Sequence, residues 1–178
     1  RTANGLYAPV LPGGGRISRA VAAARAAVAA NPAAPDLSRS TGVELGRIVL
    51  RDGSIVERGA ASDATLIKDL DAELELPTLE RAGSISAKGV WREEKMAFSA
   101  SSANPLLLFA GGAGQLTADL DGPSIKGHFQ GGAKFAPQGY FEGDAAVSTS
   151  SLRRLATLWG RSLPVSAFGA VSLTGRVN

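Results

Sequence analysis

The chain has 178 residues, a length that suits one domain able to bury an apolar core. Apolar residues make up 44% of the chain and charged residues 20%, which is typical of a globular protein. The net charge is only +3, without a block of basic residues, so nucleic acid is not an expected partner. The absence of cysteine excludes disulfides, thiolate metal sites and cysteine nucleophiles.

The first predicted element is a helix over residues 16–30. Its sequence RISRAVAAARAAVAA is rich in alanine, the best helix former. Apolar residues recur along it at helical spacing, namely Ile17, Val21, Ala24 and Val28. Pro32 predicts that the helix stops just before it. We therefore expect residues 1–42 to be a lead-in of loop and helix, and residues 43–178 to be a sheet domain.

The stretch GRIVLRDGSIVERG predicts a β-hairpin over residues 46–58. Two apolar runs flank Asp52 and Gly53, and an Asp-Gly pair between strands is a strong signal for a two-residue turn. The second position of this turn favours glycine, because glycine adopts a positive φ at low cost.

From there to the C-terminus the sequence alternates with period two, which predicts successive strands. In IKDLDAELELP the apolar face carries Leu70, Ala72, Leu74 and Leu76, opposite Asp69, Asp71, Glu73 and Glu75. The same alternation returns in later segments, and a final strand is predicted over 169–177. Short links between strands favour neighbouring antiparallel pairs. The predicted fold class is mainly β: a curved, groove-like antiparallel β-meander with two short helices packed against it.

The second predicted helix lies near residues 149–160, in STSSLRRLATLWGRSLP. Ser and Thr residues precede it as caps, and Gly160 ends it. Its apolar face consists of Leu152, Leu155, Ala156 and Trp159.

Few residues are candidates for catalysis or metal binding. His128 is the only histidine and alternates with polar residues, which favours a surface position. The row of acidic residues from Asp69 to Glu75 diverges along a strand, so a solvated face is favoured over a metal site, whose ligands must converge. The segment PGGGR before the first helix lacks the lysine of a phosphate-binding loop, and a turn is favoured. We expect no catalytic residue, no metal site and no cofactor.

The predicted sheet has more apolar surface than two short helices cover. Spare apolar surface in a concave sheet suits an apolar ligand. The candidate binding residues are the large apolar side chains of this face: Leu70, Leu74, Leu76, Ile85, Trp91, Met96, Phe98, Leu116, Leu120, Ile125, Phe129 and Phe141.

About four-fifths of the chain, from residue 36 onward, resembles the periplasmic region of AsmA-family proteins of Gram-negative bacteria. The resemblance rests on PDLSRSTGVELGRIVLRDGSIVERG, on LIKDLDAELELPTLERAGSISAKGVWREEKMAFSAS, and on GYFEGDAAVSTSSLRRLATLWGRSLP with VSLTGRV. These are patterns of strands and turns rather than an active-site signature.

The resemblance implies a β-groove protein similar to TamB-like and chorein-type bridge proteins, which shelter phospholipid acyl chains between the inner and outer membranes. It implies a periplasmic location, within a longer protein anchored in the inner membrane by parts absent from this piece. The expected partners are phospholipid acyl chains and neighbouring segments of the same chain. The family offers no catalytic residues to carry over.

Two other functions stay open at this point. In one, the apolar faces are fully covered and the chain is a non-enzymatic scaffold or interaction module for envelope assembly, with strand edges that contact partners. In the other, the chain is an enzyme acting on envelope polymers, which requires a carboxylate pocket that the sequence does not indicate.

Overall fold

The computed structural model describes residues 15–38, 42, 44–58, 63–78, 80–135, 139–158 and 169–177. Its helices are α1 (Arg16–Ala30), α2 (Pro105–Ala110) and α3 (Leu152–Leu158). Its strands are β1 (Glu44–Arg58), β2 (Asp63–Thr78), β3 (Gly83–Trp91), β4 (Glu94–Ser102), β5 (Gly114–Asp121), β6 (Lys126–Lys134), β7 (Tyr140–Thr149) and β8 (Val171–Val177). Residues 1–14 of the predicted lead-in, and Trp159 and Gly160 of the second predicted helix, lie outside the described residues.

The eight strands form one open sheet in sequence order, each strand antiparallel to the next. The alternating sequence explains this arrangement, because strands joined by short links pair with their sequence neighbours. The prediction of a mainly β antiparallel meander is confirmed. Only β1 and β8 have one strand neighbour each within this sheet.

The predicted hairpin over residues 46–58 is wrong. β1 runs through this whole stretch as one strand and pairs with β2 along its length. Asp52 adopts a φ of 52°, and the register shifts between Leu50 and Gly53, so the Asp-Gly pair forms a β-bulge instead of a turn. The backbone N–H of Asp52 donates to Oδ1 of Asp71 at 3.1 Å, which holds the bulge against β2.

A second bulge interrupts the predicted acidic row on β2. Asp69 adopts a φ of 50°, and the registers with both β1 and β3 shift beside it. Asp71, Glu73 and Glu75 pair in regular register with β3, whereas Asp69 stands outside that register. The alternation of side chains between the two faces therefore breaks at Asp69, because a bulge adds one residue to one strand only.

Helix α1 has the bounds that the sequence predicts, and α3 lies inside the predicted range. Helix α2 is a third helix that was not predicted. Its sequence carries two helix signals, since Pro105 occupies its first turn and Gly111 ends it with a φ of 83°. The run of leucines between them does not by itself indicate a helix, because six residues are too few to display a helical period.

The best-buried apolar cluster lies at one end of the sheet. It joins Ala20, Val21, Ala24 and Val28 of α1 to Leu106 and Ala110 of α2 and to Leu76 of β2. Leu106 and Ala24 are fully buried there. The lead-in helix is therefore an integral part of the core and not an appendage to it.

Candidate functional site

One face of the sheet is apolar across all eight strands. Residues directly opposite each other in antiparallel strands share a face, so the register assigns each paired position to a face. Ile48 lies opposite Leu74, which lies opposite Ile85. Further along the sheet, Phe98 lies opposite Leu120, and Val147 lies opposite Leu173. Adjacent strands lie about 4.8 Å apart, so this face extends roughly 34 Å across the sheet.

The helices lie at the two ends of this face. At one end, a Cβ added to Gly83 would meet side-chain atoms of Leu76 and Pro105, and one added to Gly114 would meet Leu108. Helix α2 therefore packs directly on this end. At the other end, Arg154 of α3 forms an ion pair with Glu94, which shares the apolar face through its pairing with Trp91.

Between the two ends, large apolar side chains remain accessible. Phe98 is 40% exposed, Phe141 46% and Leu173 69%. We define the open apolar surface as the exposed large members of this face: Ile48, Leu50, Ile55, Ile85, Phe98, Phe141, Val147, Leu173 and Val177. Such a contiguous apolar patch is uncommon on a globular domain, so this surface is the candidate functional site.

The predicted binding residues share this face, with two qualifications. Eleven of the twelve lie on strands, whereas Ile125 precedes β6. Leu76 is only 3% exposed, because α1 and α2 cover it. Ile85, Phe98 and Phe141 belong to the open apolar surface, and the others are half-buried: Leu70, Leu74, Trp91, Met96, Leu116, Leu120, Ile125 and Phe129.

The sequence reasoning missed the contributions of the two edge strands. The sequence predicts a hairpin for Ile48, Leu50 and Ile55 and does not indicate which face they occupy, whereas the structure places them on the apolar face of β1. Leu173 and Val177 of β8 were predicted as strand residues but not as binding residues. The period-two alternation of Ile48 and Leu50, and of Leu173 and Val177, was the available signal.

Two opposed glycines shape the same face near its β8 side. Gly131 of β6 pairs directly with Gly143 of β7. A Cβ at either position would collide with the backbone of the other strand. The backbones of the two strands therefore lie so close together that only glycine fits at both positions.

The opposite face of the sheet is polar and carries ion pairs. Arg47 donates from Nε to Oε1 of Glu73 at 2.6 Å and from Nη2 to Oε2 at 2.7 Å. This two-bond contact lowers the pKa of Glu73 and raises that of Arg47. On the same face, Nδ1 of His128 lies 2.7 Å from Oδ1 of Asp119, with both side chains largely exposed. His128 thus occupies the surface position that the sequence favoured.

Two cavities lie near the α3 end of the sheet. One, of about 740 Å³, is lined by residues including Lys88, Lys95 and Lys126, the last paired with Asp121 at 2.7 Å. The other, of about 460 Å³, lies between the β3–β4 turn and α3. Its lining consists of Arg92, Glu93, Glu94, Arg154 and Thr157.

The described ranges hold neither a metal-binding cluster nor a helix suited to span a membrane. No group of three or more His, Asp or Glu residues among them could hold a metal ion. None of their helices has the length and apolar character needed to cross a bilayer.

Comparison with protein-family models, with curated proteins and with solved structures finds no match for this chain. The resemblance to the AsmA family therefore stays a prediction from the sequence pattern. The geometry of the apolar face supplies the basis for a functional proposal.

Proposed function

We propose that this chain is a periplasmic segment of an AsmA-like protein that shelters or conducts phospholipid between the inner and outer membranes. The observation that carries the proposal is the open apolar surface, which lies between helices that cover only the ends of its face. Acyl chains would bind there without any covalent step. Each CH₂ group removed from water contributes about 0.8 kcal/mol.

The test is lipid retention by the purified chain and by a charged variant. We expect the chain, isolated from a bacterial periplasm without detergent, to carry phospholipid detectable by native mass spectrometry and organic extraction. Phe98→Asp should abolish retention while the protein stays folded, because the Phe98 side chain is already 40% exposed.

Ser101→Asp is the matched control. It introduces the same charge on the same strand, at an exposed position opposite Thr117 on the polar face. This variant should keep its lipid. A wild-type chain that is folded and free of lipid, or a folded Phe98→Asp variant that retains lipid, would refute the proposal.

A second candidate function is a non-enzymatic scaffold for envelope assembly. The observation in its favour is the edge of β8, which pairs in regular register with β7 and has no further strand neighbour in the sheet. An extended peptide from a partner would add to this edge through backbone hydrogen bonds. Binding of partner peptides by a chain that carries no lipid would favour this function over lipid transfer.

A further inference from the structure

The cavity of about 460 Å³ at the α3 end contains a positioned arginine. Glu94 is only 5% exposed, yet its Oε1 accepts hydrogen bonds from the hydroxyl of Ser124 and from Nε of Arg154, the latter at 2.6 Å. Ser124 is itself fixed, because Thr149 donates to its carbonyl oxygen at 2.6 Å. A buried carboxylate thus holds the Arg154 side chain at the cavity wall.

This arrangement leaves the outer part of the guanidinium available. The bond to Glu94 uses Nε, and a guanidinium carries four further N–H donors on its two terminal nitrogens. The Arg154 side chain is 59% exposed, whereas that of Glu94 is 5% exposed. A ligand in the cavity therefore meets the arginine before the carboxylate.

A second arginine lies at the same cavity on the β3–β4 turn. Its guanidinium carbon is 5.8 Å from the centroid of the Trp91 ring, which is within cation–π distance. Arg92 forms no ion pair with any residue in the described part of the chain. The neighbouring Glu93 is neutralised by Lys68, whose Nζ lies 3.1 Å from Oε1.

The backbone of this turn is strained. Arg92 and Glu93 have φ values of 49° and 68°, a conformation that glycine or asparagine adopts at lower cost. Strained backbone of this kind is concentrated at functional sites, where particular side chains are needed.

The cavity adjoins the apolar face. Trp91 and Glu94 lie opposite each other on that face, and Phe98 lies four residues along β4 from Glu94. At the rise of an extended strand, this separation is about 13 Å, which the chain of a single amphiphile spans. A bound acyl chain on the open apolar surface would thus bring its polar end to Arg92 and Arg154.

We propose that this cavity binds an oxyanion, namely the phosphate or carboxylate group of an amphiphile whose apolar chain lies on the open apolar surface. The placement of the apolar chain rests on the proposed function, whereas the oxyanion site is defined by Arg92 and Arg154. Two guanidinium groups suit a tetrahedral or planar oxyanion, because each presents paired donors in a fixed plane.

The test compares two amphiphiles with the same acyl chain, one with a phosphate-containing headgroup and one with an uncharged glycerol headgroup. Binding is measured by isothermal titration calorimetry below the micelle-forming concentration. We expect wild-type protein to bind the phosphate-bearing amphiphile about tenfold more tightly, since charge-assisted hydrogen bonds carry the difference. Arg92→Gln should remove this preference and leave binding of the uncharged amphiphile unchanged.

Arg176→Gln is the matched control, because it removes the same charge from the polar face of β8, opposite Asp144. It should retain the tenfold preference. Arg92 is the decisive position, since replacing Arg154 would leave the buried Glu94 without its ion-pair partner and could unfold the protein.

The outcomes separate this inference from the proposed function. Equal binding of both amphiphiles by wild-type protein, or equal losses for both in Arg92→Gln, would overturn the oxyanion site and leave the lipid function standing. A further titration uses inorganic phosphate alone. If wild-type protein binds inorganic phosphate but neither amphiphile, and Arg92→Gln abolishes phosphate binding, the cavity is a site for a free anion. That result would overturn both the amphiphile site and the proposed lipid function.

Discussion

At the scale of single residues, the clearest electrostatic contact is the ion pair of Arg47 and Glu73 on the polar face. Its two hydrogen bonds lower the pKa of Glu73, chiefly through the bond donated by Arg47. A carboxyl with a lowered folded-state pKa stabilises the fold above its unfolded-state pKa. That stabilisation is lost as the pH falls through the folded-state pKa.

We therefore expect the Glu73 carboxyl to titrate below its ordinary range in a carbon-detected NMR titration. Arg47→Gln should move its midpoint upward, because the hydrogen bonds and the positive charge are both removed. Arg176→Gln, which removes a distant charge of the same kind, should leave the midpoint in place. A midpoint unaffected by Arg47→Gln would show that the pair does not form in solution.

At the scale of elements, the close approach of strands β6 and β7 depends on two glycines. Gly131 and Gly143 are directly opposed, and a side chain on either would collide with the opposite backbone. Gly175 of β8 shares the same face but has open space where its Cβ would lie. All three positions are glycines on one face, but of the three only Gly175 has room for a side chain.

We expect Gly131→Ala to lower the free energy of unfolding by about 1–3 kcal/mol, the usual cost of forcing an extra carbon into a packed site. Gly175→Ala should be neutral or slightly stabilising, because alanine restricts the unfolded chain more than glycine does. Urea denaturation of both variants measures the difference. Equal stabilities would mean that β6 and β7 separate at no cost to accommodate the methyl group.

Elements with long, regular patterns were predictable from the sequence. Helix α1 was predicted with its observed bounds, because its fifteen residues carry four apolar side chains at helical spacing. The Asp-Gly pair of β1 misled the prediction, since the local conformation it favours serves a bulge as well as a turn. What decided between them was the length of β2, which pairs with all of β1, and this is a tertiary property.

The alternation of side chains on the apolar face was predictable from the sequence, but the exposure of those side chains was not. The sequence placed Leu76 and Phe98 in one set, although α1 and α2 bury the first and leave the second open. Coverage depends on where the helices pack, which periodicity within a strand does not encode. The Arg92 and Arg154 cavity could not be predicted either, because its two sides are separated by 62 positions in the chain.

At the scale of the whole molecule, the two edges of the sheet differ. β1 carries a bulge at Asp52 together with Arg47 and Arg51, and both features discourage pairing with another strand. β8 pairs in regular register throughout and contains neither bulge nor proline. Pairing of β8 with a second copy, centred on Thr174, would place Arg176 opposite Ser172 of that copy without like-charge contact.

We therefore expect concentration-dependent self-association through β8, measured by sedimentation equilibrium. Leu173→Lys should weaken it, because a charge at an exposed edge position opposes strand addition. Ile48→Lys is the control, since it makes the same kind of change on β1, at a position that is 51% exposed. Equal weakening by both substitutions would contradict a role for one particular edge.

The placement of the helices has a directional consequence. Because α2 packs at one end of the apolar face and Arg154 of α3 contacts Glu94 at the other, the face stays accessible at its β1 and β8 margins, where Ile48 and Leu173 are exposed. Several acyl chains, each lying along the strands with its polar end toward α3, would therefore fit side by side across the sheet. Any strand added at β8 would widen the apolar face by about 4.8 Å without lengthening it, so the number of strands would set how many such chains fit beside one another.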